Sequence, residues 1–352
     1  MKIGDLDLGY RPLLLAPMED VTDISFRVLC REQGADMVYT EFVPSDGLIR
    51  DASKAIAKMQ TLEEEAPVGI QIYGHLQDSM VEAAKMAANA AEIAGGHGAD
   101  VIDINFGCPV SKIAGRGAGS GMMREPDKMV AITKAVVEAV PNKPVTVKTR
   151  LGWDDNSKII VELAERLQDV GIKALTIHGR TRCQMYRGQA DWSLIGEVKR
   201  NPRMYIPIIG NGDIVDGPSA KRAFDDYGVD AIMIARATFG RPWIFREIKE
   251  YLAAAAGKGL SDSYAGIISE HGEVGALCLW PSVKERCKIA RRHLDLSLKY
   301  KGEPRGIYEM RRHLSSYFKG LPEFKETRIR MVTTLDKDEL YNILDEIEQR
   351  WG

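Results

Sequence analysis

The chain has 352 residues, of which 45% are hydrophobic and 28% are charged. This composition is ordinary for a folded globular protein and excludes wholesale disorder, collagen-like repeats and coiled coils. The 48 lysines and arginines nearly balance the 50 aspartates and glutamates, and this balance taken alone argues against a nucleic-acid partner. The length predicts two or three domains, unless a barrel of about 250 residues accounts for most of it.

The sequence contains no run of 18 apolar residues, so no membrane-spanning helix is predicted. Its start, Met1–Asp5, lacks the apolar core of a signal peptide. The five cysteines are scattered and form no C-x-x-C pair, which predicts free thiols in a reducing cytoplasm and no zinc or other metal site. They are Cys30, Cys108, Cys183, Cys278 and Cys287.

Eight short apolar runs recur between residues 13 and 235, with helix-like stretches between them. The runs are Leu13–Ala16, Met37–Phe42, Val68–Ile72, Val101–Asn105, Val145–Lys148, Ala174–His178, Ile206–Gly210 and Ala231–Ala235. The helix-like stretches include Ser79–Ala94, Asp127–Val140, Ser157–Val170 and Pro218–Asp226. Because the runs are apolar rather than alternating, they are typical of parallel strands covered on both faces.

Eight strands with intervening helices predict an α/β fold, a closed (β/α)8 TIM barrel over residues 1–244. An open, doubly wound sheet is the alternative. Such a sheet normally has fewer strands and a G-x-G-x-x-G sequence after the first one. Here Pro17-Met18 follows the first run instead, which favours the barrel.

Residues 245–352 show no strand-like run and predict a C-terminal all-helical domain. Its first part, residues 257–281, is rich in glycine and predicts a loop. The helical patterns that follow are Val283–Tyr300, Ile307–Lys319, Lys325–Thr333 and Lys337–Trp351.

Charge is distributed unevenly in this region. Residues 284–330, which we call the basic stripe, carry 14 lysines and arginines against 6 acidic residues, a net charge of +8. A polyanion-binding surface and a solvated face with salt bridges are equally compatible with that charge. The planar guanidinium groups of its arginines, among them Arg311 and Arg312, favour a site that binds phosphate.

The predicted strand ends are informative because function in this fold lies at the carboxyl ends of the strands. Gly212 follows the seventh run and Arg236 follows the eighth, where barrels commonly bind phosphate. A structural turn with a surface arginine is the alternative. The pattern therefore predicts a phosphorylated cofactor or substrate.

Lys148 and His178 end two neighbouring apolar runs. A lysine there is seldom buried unless paired, and it could form a Schiff base or place a cation beside a ring that becomes anionic. Either residue could instead be a capped strand end. Their occurrence at adjacent strand ends favours function.

Cys108 stands in a loop rich in glycine and cations, residues 107–121. We expect the thiol to be exposed enough to react, with a pKa lowered by cations, and the glycines to permit a mobile lid. A structural cysteine is the alternative, and it fits Cys30 and Cys287 better. Cys183 is a weaker reactive candidate.

In combination these motifs resemble the tRNA-dihydrouridine synthase family of bacterial type, especially its B-type branch. The resemblance covers essentially the whole chain, and the N-F-G-C-P-x-x-K and H-G-R-T-R blocks are highly specific. The matching stretches are Ala16–Asp23, Gln71–Gly74, Asn105–Lys112, Gly119-Ser120, Val147–Gly152, His178–Arg182, Gly188–Trp192, Gly210–Ile214 and Gly240–Trp243, with Arg286, His293, Arg311–His313 and Lys319–Pro322 further on.

The resemblance implies a barrel that carries FMN and a helical domain that binds tRNA, with NADPH as the reductant. Hydride would pass from flavin N5 to C6 of a uridine, and the catalytic residue Cys108 would give a proton to C5, for which a largely protonated thiol is suited. The implied FMN-binding residues are Ala16, Pro17, Met18, Gln71, Lys148, His178, Asn211, Gly212, Asp213, Ala235 and Arg236. The implied substrate-binding residues are Asn105, Lys112, Arg180, Arg311 and Arg312.

Two stretches depart from the family pattern. Ala235 stands where the family more often has glycine, and residues 119–123 also differ from expectation. The alternative functions are a flavin barrel oxidoreductase that reduces a small enone or pyrimidine, and a non-catalytic RNA-binding module. The basic stripe argues against the first, and intact Cys108, Lys148 and His178 argue against the second. We expect a monomer.

Overall fold

The structure is a computed structural model that describes residues 1–256 and 281–352. It opens with a small antiparallel hairpin of β1 (Lys2–Ile3) and β2 (Leu6–Asp7). A sheet of parallel strands follows. Its strands are β3 (Leu13–Leu15), β4 (Val38–Tyr39), β5 (Val43–Pro44), β6 (Val68–Tyr73), β7 (Val101–Asn105), β8 (Val145–Arg150), β9 (Ala174–His178), β10 (Ile208–Asn211) and β11 (Ala231–Ile234).

The strands pair in the order β3–β11–β10–β9–β8–β7–β6–β4, and β5 pairs with β6. The two ends of this order meet, because Leu14 bridges to Met37 and the N–H of Leu15 donates to the carbonyl of Met37 at 3.0 Å. Eight predicted runs thus form the barrel. The second run is the least regular, since only Val38–Tyr39 of the predicted Met37–Phe42 is a strand.

The apolar runs fold as strands because both of their faces are covered. Almost every residue of β6 to β11 is buried. Inside the barrel, Leu14, Met37, Tyr39 and Met233 belong to one buried cluster that also contains Ile3 of the hairpin. The interior is therefore a packed core, and a ligand site has to lie at a strand end.

Helices connect successive strands. The helices from the first strand of the barrel to the last are α1 (Ile24–Glu32), α2 (Ser45–Leu48), α3 (Ser53–Lys58), α4 (Gln77–Ala88), α5 (Ala90–Ile93), α6 (Ser111–Ala114), α7 (Pro126–Ala139), α8 (Ile160–Asp169), α9 (Ser193–Arg200) and α10 (Gly217–Tyr227). Helix α7 begins with a proline, whose fixed φ suits the first helical position, and buries Met129, Ile132 and Val136 along one face. The predicted (β/α)8 barrel is confirmed.

The C-terminal region is helical, as predicted. Its helices are α11 (Ile244–Ala255), α12 (Val283–Lys301), α13 (Arg305–Tyr317), α14 (Lys325–Thr333) and α15 (Lys337–Trp351). Ser282 caps α12 by accepting the N–H of Glu285, and Asp336 caps α15. Most of the predicted glycine-rich loop, residues 257–280, lies outside the described residues.

The chain divides into two compact units. The barrel unit comprises residues 1–23, 35–215 and 219–235, and the helical unit comprises residues 24–34, 216–218 and 236–352. Helix α1 belongs to the helical unit, where Phe26 packs against the rings of His293 and His313 at 5.5 and 4.5 Å between centroids. The predicted domain boundary after residue 244 stays a prediction. Among the described helices, none is long and apolar enough to cross a membrane.

Candidate active site

The carboxyl edge of the barrel brings predicted site residues side by side. Asn105 of β7 is in register with Lys148 of β8, and His178 of β9 is in register with Asn211 of β10. Register partners on parallel strands share a face of the sheet. The strand pairing therefore gathers residues predicted separately as substrate-binding and cofactor-binding at the edge where barrel enzymes carry out their chemistry.

Cys108 lies in the loop after β7, and its backbone is held from both sides. Its N–H donates to Oδ1 of Asn105 at 2.9 Å, and the same oxygen accepts the N–H of Gly107 at 3.0 Å. Its carbonyl oxygen accepts the N–H of Ser120 at 3.1 Å and the Ser120 hydroxyl at 2.7 Å. These bonds fix the backbone that carries the thiol.

The environment of the Cys108 side chain keeps the thiol protonated. The residue is only 8% exposed. Burial raises the pKa of the thiol, although the N–H of Val110 and the cations Arg150 and Lys148 act in the opposite direction. The expectation of an exposed thiol with a lowered pKa is therefore wrong, because burial outweighs the nearby cations. Such a thiol is poised to donate a proton rather than to attack as a thiolate.

Arg150, at the end of β8, is a positioning residue that we did not predict. Its Nε donates to the carbonyl of Gly107 at 2.7 Å, and its Nη1 donates to the carbonyls of Thr181 and Met185 at 3.0 and 2.9 Å. Burial lowers its pKa to about 10, so it stays charged at neutral pH. The spacing of the two cations could have indicated this residue, because a side chain two positions after Lys148 points to the same face of the strand.

A chain of buried polar side chains extends from the Cys108 loop into the barrel. Nδ2 of Asn105 donates to Oε1 of Gln71 at 2.8 Å, and Nε2 of Gln71 donates to Oδ2 of Asp103 at 2.6 Å. The hydroxyl of Thr146 donates to Oδ1 of Asp103 at 2.6 Å. All four residues are at most 5% exposed. The amide of Gln71, predicted as cofactor-binding, is therefore engaged on both sides by neighbouring strands.

Lys148 is a half-buried cation at the same edge. Burial lowers its pKa to about 8, the neighbouring Arg150 lowers it further, and Asp103 opposes both effects. The amine is thus mainly protonated at neutral pH and close to titration. Such a group can place a positive charge beside an anionic ligand.

Gly212, directly after β10, has a backbone that favours glycine. Its φ is +127°, and a Cβ at this position would lie 2.7 Å from Cβ of Ala190 and 3.2 Å from Cδ2 of His178. Its carbonyl accepts the indole N–H of Trp192 at 3.0 Å. Glycine is therefore required at this turn, because Ala190 and His178 occupy the space that a Cβ would fill.

Arg180 is buried and anchors the turn that contains Gly212. Its guanidinium forms a bidentate ion pair with Asp213 at 3.0 and 2.7 Å and also donates to the carbonyls of Arg187 and Gly188. Asp213 in turn accepts the N–H of Ala190 at 2.8 Å. Both residues therefore position the two loops after β9 and β10. The predicted contacts of Arg180 with substrate and of Asp213 with FMN stay predictions.

The remaining predicted residues occupy the other strand ends and two helices. The N–H of Ala16 donates to the carbonyl of Ile234 at 2.9 Å, and Nδ2 of Asn211 donates to the carbonyl of Met233 at 2.7 Å. Pro17, Met18 and Ala235 are half-buried, whereas Arg236, Lys112 and Arg312 are exposed and Arg311 is half-buried. Their predicted ligand contacts stay predictions.

Five cations lie in the connections that follow β7 and β9 at the carboxyl edge, and we call them the barrel rim. They are Lys112, Arg116, Arg124, Arg182 and Arg187. Arg124 and Arg182 stack on the ring of Trp153 at 4.2 and 4.8 Å from its centroid. Among the described residues, no carboxylate lies within 4 Å of any rim cation, and the adjacent Glu125 and Asp155 pair with Lys128 and Lys158. The rim therefore presents uncompensated positive charge.

The basic stripe of the helical unit differs, because much of its charge is compensated. Arg291 pairs with Asp345 and with Glu348, Arg292 pairs with Glu32, and Arg330 pairs with Glu346. Further pairs join Lys301 and Arg305 to Glu309. Arg311 donates to the carbonyls of Thr333 and Thr334 and stacks on Tyr308. The salt-bridged interpretation therefore holds for a large part of the stripe.

The protein is a parallel (β/α)8 barrel, and its carboxyl edge carries a protonated thiol, a half-buried lysine and a glycine turn. These features place it in the class of barrel enzymes. A family model described as Dihydrouridine synthase (Dus) matches residues 14–350. Among solved structures, a complex of 2-naphthoyl-CoA reductase aligns with a TM-score of 0.51 at 12% identity, over 73% of this chain and 52% of that one. The latter similarity concerns the fold alone.

Curated proteins of similar sequence agree with the family model. A probable tRNA-dihydrouridine synthase of Rickettsia conorii is 37% identical over 329 residues, 93% of this chain and 90% of that protein. tRNA-dihydrouridine synthase B of Xanthomonas campestris pv. campestris is 37% identical over 328 residues, with 93% and 90% coverage. The B enzyme of Klebsiella pneumoniae is 41% identical over 252 residues, with 72% and 75% coverage.

The chain belongs to the dihydrouridine synthase family. The predicted family and the predicted enzyme, a tRNA-dihydrouridine synthase acting as an oxidoreductase, are thereby confirmed. Family membership also supports a flavin cofactor and a tRNA substrate.

Proposed function

We propose that the chain reduces uridine to 5,6-dihydrouridine in tRNA, with FMN as its resident cofactor and NADPH as the reductant. The observation that carries this proposal is the Cys108 thiol, which burial keeps protonated and whose backbone is fixed at the carboxyl edge of the barrel. A flavin barrel that formed a covalent adduct through a thiolate would need a lowered pKa instead.

The residues at the carboxyl edge fit a flavin mononucleotide. Lys148 offers a cation near the strand ends, Arg236 offers an exposed guanidinium directly after β11, and Gly212 follows β10, the strand paired with β11. This donor set suits a phosphate and an anionic ring. The residues that would hold FMN are Ala16, Pro17, Met18, Gln71, Lys148, His178, Asn211, Gly212, Asp213, Ala235 and Arg236.

When bound and reduced by NADPH, the flavin supplies a hydride for C6 of uracil. Cys108 donates its thiol proton to C5, where the electron pair of the C5–C6 double bond arrives. The resulting thiolate regains a proton from water, so the thiol is ready for the next uridine. The oxygen of Asn105 accepts the N–H of Cys108 and one hydrogen of its Nδ2 group is donated to Gln71, so the second Nδ2 hydrogen is the part that would contact the base.

Lys148 and Arg150 keep positive charge near the reacting groups. Their pKa values of about 8 and about 10 leave both mainly charged at pH 7. Lys148 would balance negative charge on the ring of the cofactor. Arg150 would hold the loop of Cys108 through Gly107 while the proton moves.

We further propose that the barrel rim contacts the tRNA backbone around the target uridine. The uridine has to leave its stack to reach a thiol at a barrel mouth, at a cost of a few kcal/mol. The rim guanidinium groups, which have no carboxylate partner in the described part of the chain, would offset that cost by binding phosphates, which releases counterions. Arg182 and Arg124 are held by Trp153 and therefore lose little side-chain freedom on binding. Arg311 and Arg312 would add contacts from the helical unit.

We place this activity in the cytoplasm. The four described cysteines, Cys30, Cys108, Cys183 and Cys287, are free thiols. Free thiols persist in a reducing compartment. The predicted monomeric state and the preference for NADPH stay predictions.

The proposal is tested by reoxidation of the reduced holoenzyme without oxygen. tRNA that lacks dihydrouridine should restore the oxidised flavin spectrum and gain dihydrouridine, whereas free uridine and cyclohexenone should not. Rapid reoxidation by cyclohexenone together with inert tRNA would instead establish the alternative, a reductase of small enones. Replacement of NADPH by NADH in the reductive step measures the preference for the reductant.

A further inference from the structure

The hydrogen-bond chain beneath the Cys108 loop has a direction. An ionised carboxylate only accepts hydrogen bonds, whereas a side-chain amide accepts on one side and donates on the other. Asp103 therefore obliges Gln71 to turn its NH2 group toward it and its oxygen toward Asn105. Asn105 must then turn its own NH2 group toward Gln71 and its oxygen toward the Cys108 loop.

The opposite direction would be unfavourable at the loop. It would place the NH2 group of Asn105 against the backbone N–H groups of Gly107 and Cys108, so that three donors would face one another. Both amides are buried, so water does not relieve such a conflict. The orientation of two amides thus decides whether the loop is held.

We propose that Asp103 is a positioning residue that sets the orientation of Gln71 and Asn105 and thereby holds the backbone of Cys108. The relation to the proposed function is limited to the identity of Cys108 as the proton donor. The hydrogen bonds that carry this proposal all lie within the barrel and the loop after β7.

The surroundings of Asp103 keep its carboxylate in the accepting state at neutral pH. Burial raises its pKa to about 6, while the donors Thr146 and Gln71 and the cation Lys148 counteract that rise. Tyr39, the other titratable group that faces it, has a pKa well above its ordinary value because of burial and the charge of Asp103, and stays neutral. Asp103 is therefore mostly ionised at pH 7.5.

The test is hydrogen exchange at the N–H groups of Gly107 and Cys108 in the Asp103→Asn holoenzyme at pH 7.5. An asparagine can donate as well as accept, so both directions of the chain become possible. We expect exchange of these two N–H groups to be about tenfold faster, as expected for one weakened buried hydrogen bond. The N–H of Phe106, which donates to the carbonyl of Lys148 at 2.8 Å, serves as an internal control and should not change.

Further variants move the negative charge of Asp103 to the other end of the hydrogen-bond chain, at position 105. Asn105→Asp alone places carboxylates on both sides of the single NH2 group of Gln71, so one of the two lacks a donor, and this variant should unfold at a lower temperature than the parent. The double variant Asp103→Asn/Asn105→Asp lets Gln71 reverse, while the new carboxylate still accepts both loop N–H groups. We expect it to restore exchange to within about threefold of the parent, even if Asp103→Asn folds poorly.

The matched control is Thr146→Val, which removes a donor to Asp103. Because that donor holds the pKa of Asp103 down, this variant is compared with the parent at pH 8.5, where the carboxylate stays ionised and the loop should stay protected. In steady state, Asp103→Asn should lower kcat without raising the KM for tRNA. Unchanged exchange in Asp103→Asn, or no recovery in the double variant, would overturn the proposal. Exchange is measured without tRNA, so a failed assignment of Cys108 as proton donor would not affect this result.

Discussion

The barrel unit and the helical unit use their basic residues in opposite ways. In the helical unit, Arg291, Arg292 and Arg330 are neutralised by carboxylates of the same unit. Around the barrel mouth, Arg124 and Arg182 are held by an aromatic ring and have no carboxylate partner among the described residues. Net charge along a sequence therefore does not locate a polyanion surface, because ion pairing decides which charges remain for a ligand.

The largest expected effect concerns the chemistry assigned to the barrel. Cys108→Ala should lower dihydrouridine formation by about 100- to 10,000-fold, as the loss of a general acid does, while flavin content and tRNA affinity persist. Cys183→Ala, which removes another thiol of the same unit, is the control and should keep its activity. Wild-type turnover of Cys108→Ala in tRNA assayed by mass spectrometry would refute the assignment.

The next effect tests the rim directly. Reversal of two rim charges in Arg124→Glu/Arg182→Glu should weaken tRNA binding and reduce the slope of log affinity against log salt by about two, one for each lost phosphate contact. The control is Arg166→Glu/Arg203→Glu, which reverses two cations that already pair with Asp127 and Glu165. Equal losses in both variants would mean that overall charge, and not the rim, governs binding.

A smaller effect is expected in the basic stripe. Arg311→Glu/Arg312→Glu should weaken tRNA binding and flatten its salt dependence, but less than the rim variant does. Arg311 already donates to the carbonyls at the end of α14, which leaves less of its guanidinium for phosphate. Fluorescence anisotropy of labelled tRNA at several salt concentrations measures both variants. A larger loss here than in the rim variant would reverse our ranking of the two regions.

The smallest effect lies at the amino end of the barrel strands and concerns stability. His97 lies 3.0 Å from carboxylate oxygens of both Glu63 and Asp100. Partial burial works against a raised pKa, but hydrogen bonds to Glu63 and Asp100 dominate and raise it above 6.5. The stabilisation is therefore complete below pH 6.5 and is lost as the pH rises through the raised value.

Since His97 and its partners are partly exposed, we expect a contribution of about 0.5 kcal/mol. Thermal unfolding of His97→Gln at pH 5.5 and 8.5 measures it. The loss of stability should appear at pH 5.5 and nearly vanish at pH 8.5, with turnover unchanged at both. An equal loss at both pH values would attribute the effect to packing instead.

Much of the site was predictable from the sequence because residues at the ends of successive apolar runs must meet at one edge of a parallel barrel. Asn105, Lys148 and His178 were found in this way. The protonated state of Cys108 followed from the family resemblance but not from its neighbours in sequence, because adjacent cations suggest a lowered pKa whereas burial, a property of the fold, raises it. The position of Arg150 under Gly107 likewise depends on a contact between residues 43 positions apart.

The sequence by itself determined the order of strands and helices, the position of the helical region and the family. The reason is that apolar periodicity and local motifs depend on residues close together along the chain. Only the tertiary structure decided which charges are neutralised by ion pairs within the molecule. It assigned α1 to the helical unit, formed the ion pair between Arg180 and Asp213, and paired many cations of the basic stripe with carboxylates. The physical reason is that an ion pair or a buried hydrogen bond depends on distance in space, which separation along the chain does not specify.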